Sequence, residues 1–184
     1  MNVLFTYEEA LGYCLGDVVC DKDGVSAAPV MAELAGYLWA NRSMTVLEYL
    51  QSLYAIYGEF VSYNSYVICR DPIKTDAIFR RIRTGGPGDT YFPEVAGSRV
   101  VAVKDVTTGF NSDLPLTPDS HMIMFDFDNG VTATLRTSGT EPKIKFYTEI
   151  AGAPGIPRET LEHQLHAFVD QMVDELLQPK QNGL

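Results

Sequence analysis

The sequence predicts an α+β protein, and three observations carry that prediction. From Glu59 to Leu177 the apolar pattern switches between a period of two and helical spacing, in the order strand, helix, strand, hairpin, strand, helix. Residues 121–136, HMIMFDFDNGVTATLR, alternate on both sides of a turn signal, which marks antiparallel pairing. Residues 157–177 place Leu161, Leu165, Phe168, Met172 and Leu176 on one stripe, so that helix must lie on an apolar surface. The expected C-terminal unit is a mostly antiparallel sheet packed by helices. Before it stand a strand and two helices of a preceding domain. Gly58 marks the change, which puts the domains at 1–57 and 58–184.

Residues 2–6, NVLFT, are short and β-leaning. No other strand of their sheet is evident, so residues 1–22 are expected to be less ordered than the rest. Residues 7–24 mix acids with Gly12, Gly16 and Gly24 and read as a loop. Residues 25–40 are helical, with Asp23 as N-cap; Pro29 means the helix starts nearer that residue or kinks there. Ser43 is read as the cap of a second helix with Val46, Leu47, Leu50, Leu53, Tyr54 and Tyr57 at helical spacing, ended by Gly58. Residues 59–69 read as one strand. Asp71-Pro72 opens a helix to about Arg83, with Ile73, Ala77, Ile78 and Ile82 inward. Residues 98–106 read as a strand and 107–120 as a long loop.

In the hairpin, a two-residue loop would split the apolar side chains between faces. A three-residue loop, Asp128-Asn129-Gly130, pairs Phe127 with Val131, Phe125 with Ala133 and Ile123 with Leu135, all on one face. That register is expected, with Gly130 left-handed. Residues 143–150 form the next strand.

Composition bounds the function. The chain has 184 residues, 46% hydrophobic and 21% charged, with a net charge of −10. That charge opposes non-specific binding to nucleic acid or an anionic membrane. No run approaches the roughly 18 apolar residues of a membrane helix, and the N-terminus lacks the pattern of a signal peptide. Cys14, Cys20 and Cys69 are odd in number and lack metal-ligand spacing, which suits a reducing, cytoplasmic setting.

Against that acidic balance stands TLRTSGTEPKIKFY, residues 134–147. Arg136 offers a planar fork of donors to two oxygens. Ser138 and Thr140 add hydroxyls, Gly139 lets backbone N–H groups approach closely, and Lys143 and Lys145 add charge. An oxyanion site and a tight polar connection between strands both fit these residues. Elsewhere, Asp126 and Asp128 are not read as a metal site, since Gly130 follows and Asp126 is expected on the outward face. His163 and His166 lack a third ligand. Arg80, Arg81, Arg83 and Lys74 read as a basic patch that complements a helix end. Trp39, Tyr49, Tyr54 and Tyr57 read as packing residues.

RTSGTEPKIKFY, residues 136–147, resembles the phosphate-binding loop in the last domain of the α-D-phosphohexomutases. YEEALGY, residues 7–13, resembles the sugar-recognition loop of their third domain, and DKDGVSAA, residues 21–28, the helix start that follows. The wording is similar to the phosphoglucomutase/phosphopentomutase branch. The resemblance implies the end of a third domain followed by a whole fourth domain, from four-domain enzymes that move a phosphoryl group within a sugar phosphate. It implies phosphate contacts at Arg136, Ser138, Gly139, Thr140 and Lys145, and sugar contacts at Glu8, with Glu9 assisting. Ala10 stands where many relatives carry a serine. The family's phosphoserine loop and Asp-x-Asp-x-Asp-Arg metal loop have no counterpart here. The resemblance therefore implies no catalytic residue, no metal site and no activity in this chain alone. Magnesium and the bisphosphorylated sugar would be bound by domains that precede it. The expected partners are a sugar phosphate or phosphate and the missing N-terminal mutase domains. The alternatives are a free-standing sugar-phosphate or phosphate module, or a structural partner of a full-length mutase.

Overall fold

The computed structural model describes residues 3–8 and 11–184, and the chain divides into two compact units, 1–56 and 57–184. In the first unit, β1 (Phe5–Glu8) pairs antiparallel with β2 (Gly12–Leu15), with Phe5 opposite Leu15 and Tyr7 opposite Tyr13. The strand expected at 2–6 thus lies two to three residues later, and the stretch read as loop supplies its partner. Phe5 stacks on Tyr7 and Tyr13, at 6.3 and 6.1 Å between ring centroids. Both neighbours sit on one face of the ribbon, which is what alternation along paired strands requires.

Helix α1 (Gly24–Arg42) starts at the expected cap: the Asp23 carboxylate accepts from the Val25 and Ser26 amides. Pro29 lies inside α1, one turn in, so the helix starts well before it. Ser43 adopts the left-handed conformation that closes α1 and does not open α2 (Val46–Tyr57). Thr45 does, through a reciprocal box. The Glu48 carboxylate accepts from Thr45 N at 2.7 Å and Thr45 Oγ1 accepts from Glu48 N at 3.2 Å. Thr45→Ala is expected to cost about 1 kcal/mol locally, seen as faster amide exchange in the first turn of α2 and unchanged exchange in the second unit. Leu38 is buried, but Trp39, Leu47 and Tyr57 are exposed, so the packing role expected for Trp39 and Tyr57 is not seen.

The second unit holds a seven-stranded sheet. Its order is β3 (Phe60–Ser62), β9 (Lys143–Ala151), β8 (Val131–Thr137), β7 (Met122–Phe127), β6 (Ser98–Asp105), β5 (Glu94–Val95), with β4 (Ser65–Ile68) also on β9. Every pairing is antiparallel. The strand expected over 59–69 is interrupted, yet β3 and β4 keep one register against β9. At the break, side chains replace ladder bonds: Thr148 N donates to Asn64 Oδ1 at 2.8 Å and Thr148 Oγ1 donates to the Tyr63 carbonyl. The hairpin has the predicted register, with Ile123 opposite Leu135 and Phe125 opposite Ala133, and Gly130 at φ +83°. All six apolar side chains of that pattern are buried.

Helix α3 (Pro72–Thr84) is capped by Asp71 as expected. Its inward residues are Thr75, Ile78, Phe79 and Ile82, whereas Ile73 and Ala77 are exposed, one step around the helix from their expected place. Helix α4 (Arg158–Leu176) buries the predicted stripe together with Val169, and α5 (Pro179–Asn182) ends the chain. Both longer helices lie on one face of the sheet around Phe125, Leu135, Ile144 and Leu165. The opposite face carries the alternate residues, among them Arg136, Lys145 and Tyr147.

Candidate functional site

The site is built at one end of the β8–β9 hairpin. Alternation from buried Leu135 sends Arg136 to the open face, directly across from Lys145 on β9. The Arg136 guanidinium donates to Tyr147 Oη at 3.2 Å and lies 5.4 Å from the centre of that ring. Ser138 is the last paired residue. Its amide donates to the Lys143 carbonyl at 3.0 Å, so that N–H is committed to the ladder. The turn is therefore Gly139-Thr140-Glu141-Pro142, tightened by Lys143 N donating to the Glu141 carbonyl at 2.8 Å. Among the described residues, the amides of Gly139 and Thr140 and the hydroxyls of Ser138 and Thr140 have no partner. Lys143 Nζ is held by Glu141 Oε1 at 2.8 Å and sits 3.9 Å from the centre of the Tyr66 ring.

The structure thus gathers Arg136, Ser138, Gly139, Thr140 and Lys145 at one strand end. Glu8 belongs to the other unit, where it faces Lys22 Nζ at 3.6 Å. Glu9 lies outside the described residues.

Behind the loop lies a network that sequence reasoning missed. A cleft of about 500 Å³ is lined by Thr137, Ser138, Glu141 and Lys143 on the loop side and by Asp76 and His121 on the other. Thr137 N donates to the His121 carbonyl at 3.0 Å, and Thr137 Oγ1 accepts from His121 N at 3.1 Å. The His121 ring stacks on Phe79, 4.4 Å between centroids. Its Nε2 is 2.9 Å from Asp76 Oδ1 and its Nδ1 is 3.2 Å from Arg83 Nη1. Arginine has only donors, so Nδ1 must accept and the imidazole proton belongs on Nε2, donating to Asp76.

Arg83 in turn grips Asp105, which has no solvent exposure, with Nε at 2.6 Å and Nη2 at 3.3 Å. Tyr91 Oη adds a bond at 2.8 Å and the Thr107 amide one at 3.0 Å. Burial alone would raise the Asp105 carboxyl, but Arg83 and Tyr91 together hold it below the usual carboxylate range. Burial first, and the Asp105 carboxylate second, push the Tyr91 phenol up to about 12. The basic patch expected at Arg80–Arg83 is accordingly divided: Arg83 pairs with Asp105, and Arg81 donates to the Glu175 and Leu176 carbonyls at the end of α4. Lys74 Nζ donates to the Asn182 carbonyl.

A strand irregularity hid Asp105. The β6–β7 register slips by one between Val100 and Ala102, and Val101 bulges outward, 59% exposed. Past the bulge, Val103 and Asp105 face the core instead of Ala102 and Lys104. Strict alternation from Val100 predicts the reverse.

Among the described residues no three His, Cys, Asp or Glu side chains converge as metal ligands. No helix among them is long and apolar enough to cross a membrane.

No family model matches the sequence. The chain is 44% identical over its whole length to glucose 1,6-bisphosphate synthase of Mus musculus and 39% identical to phosphopentomutase of Homo sapiens, spanning 31% of the length of each. It shares its fold, at a TM-score of 0.67 and 16% identity, with the crystal structure of pp63/parafusin, a phosphoglucomutase from Paramecium; the match covers 96% of this chain and 30% of that one. The chain spans about a third of the length of the curated relatives it matches. Similarity over the whole of this chain to sugar-phosphate mutases, joined to the common fold, fits a C-terminal portion of the phosphohexomutase family.

Proposed function

We propose that this chain supplies the phosphate grip of a sugar-phosphate mutase and holds the phosphate that is not transferred. One observation carries the reading. The loop is tied at both strand ends, yet the Gly139 and Thr140 amides and two hydroxyls have no partner among the described residues, beside Arg136, Lys143 and Lys145. Such a set suits a dianion: backbone N–H groups and hydroxyls meet its oxygens, and the guanidinium fork takes two of them at once. Glu8 is the proposed reader of sugar hydroxyls, because a carboxylate accepts from two of them together; Glu9 is proposed to assist. Phosphoryl transfer rests on positioning and charge stabilisation around a nucleophile and a metal. Both are proposed to come from segments of the mutase other than this chain, as is the site for the bisphosphorylated sugar.

Arg136 tests the reading. Phosphate is expected to bind the isolated chain at millimolar concentration, about 4 kcal/mol, since one wall of a cleft makes only part of the contacts. Arg136→Ala is expected to weaken binding by about 1.5–3 kcal/mol, which takes it out of the measurable range. The contact with the half-buried Tyr147 ring adds a stability cost of about 0.5–1 kcal/mol. Arg136→Lys keeps the charge without the fork and is expected to recover only part of the binding. Calorimetric titration and thermal melting of the three proteins decide it. Unaltered phosphate binding by Arg136→Ala, or a collapse of its melting temperature, removes Arg136 from the site.

A further inference from the structure

Glu141 is the one acidic residue of the turn. Its Oε1 accepts from Lys143 Nζ at 2.8 Å, and its carbonyl accepts from the Lys143 amide at the same distance, so two bonds join it to one lysine. The Tyr66 ring holds the ammonium from a neighbouring strand. The hydrogen bond and charge of Lys143, and then the charge of Lys145, hold the Glu141 carboxyl below its ordinary value; the same hydrogen bond raises the Lys143 amine. Glu141 is thus ionised and coupled to both lysines that flank the loop. Its side chain is 48% exposed, it lines the cleft beside Thr137 and Ser138, and its Oε2 has no partner among the described residues.

We propose that Glu141 is a specificity-determining residue of the loop, disfavouring bare oxyanions and admitting phosphate esters whose hydroxyl groups donate to it. This rests on the phosphate-binding reading of the loop. The physical basis is a competition. A dianion beside Lys143 lies close to a fixed carboxylate, at a distance where salt screens only part of the repulsion. Inorganic phosphate brings nothing to offset that. A phosphorylated polyol brings hydroxyl donors, and Oε2 accepts them, turning a repulsive neighbour into a hydrogen-bond partner. The bond to Lys143 keeps the carboxylate in place for that task.

The test titrates inorganic phosphate and glucose 6-phosphate into the wild-type chain and Glu141→Gln, at neutral pH and low ionic strength. Glutamine keeps the shape and an acceptor for Lys143 but not the charge. Glu141→Gln is expected to bind inorganic phosphate about three- to tenfold more tightly, and its preference for glucose 6-phosphate over phosphate is expected to fall by a similar factor. Glu141→Ala, which also frees Lys143, is expected to change phosphate binding in the same direction. Unchanged or weaker phosphate binding by Glu141→Gln, with wild-type binding intact, overturns the role of Glu141 and leaves the phosphate site standing. Absence of phosphate binding in wild type and variants alike overturns both.

Discussion

Arg83→Ala is expected to destabilise the 57–184 unit by about 3–5 kcal/mol, the cost of leaving a buried carboxylate without its cation. Asp105 has no exposure, and Arg83 supplies its shortest contact, at 2.6 Å, and a second at 3.3 Å. Tyr91 and the Thr107 and Thr108 amides remain, but none carries charge. The variant also strands His121 Nδ1, so the stack on Phe79 and the pairing with Thr137 lose a support. Arg83→Lys keeps a cation but cannot span both carboxylate oxygens, and is expected to recover part of the loss. The effect depends on pH in a definite direction. The folded carboxyl titrates below its unfolded value, so the pair stabilises fully above about pH 4 and loses its contribution as pH falls through the folded value. In Arg83→Ala, burial dominates and raises the carboxyl, so the gap between variant and wild type narrows on acidification. Native-state hydrogen exchange of the β7 and β8 amides measures the gap. A loss under about 1 kcal/mol at neutral pH contradicts the assignment of Asp105 as a buried ion.

Gly58→Ala is expected to cost about 2–5 kcal/mol. Gly58 ends α2 at φ +90°, where an L side chain is strained by about 1–3 kcal/mol. A Cβ at this position would lie 1.8 Å from the Gly152 carbonyl oxygen. The obstacle is backbone, so no rotamer change relieves it, and overpacking adds about 1–3 kcal/mol. The Gly152 amide donates to the Glu59 carbonyl at 2.8 Å, so the shift must open the first pairing of β3 with β9. Exchange of the Val61 and Ile150 amides is expected to quicken more than that of β7. Wild-type exchange throughout β3 and β9 would mean that the glycine is dispensable.

These two residues show what was legible in the sequence and what was not. Gly58 was legible as a helix end, because it closes a helical pattern just before a strand pattern begins; its approach to Gly152 was not, since that depends on a segment ninety-four residues away. The hairpin register and the α4 stripe were legible because a single buried face sets both. Asp71 and Asp23 were legible because caps are local chemistry. Thr45 carried its signal too, in the Thr-x-x-Glu spacing, but Ser43, two residues earlier, offers the same hydroxyl chemistry. The Arg83–Asp105 pair was hidden by a one-residue bulge, which exchanges the faces of every residue after it. The loop's chemistry was legible as residue types, whereas the division of labour was not: Ser138 N–H closes the ladder, and the amides of Gly139 and Thr140 stay unengaged.

Titrating inorganic phosphate into the ¹⁵N-labelled chain, and following every amide, shows whether the 138–142 turn grips phosphate. Gly139 and Thr140 are expected to shift first and furthest. Ser138 should follow weakly, because its N–H is already bonded to Lys143. The amides near Arg80 and those of α5 should not move. Shifts confined to the end of α3, or none at concentrations well above millimolar, would contradict that grip and reduce RTSGTEP to a turn between two strands.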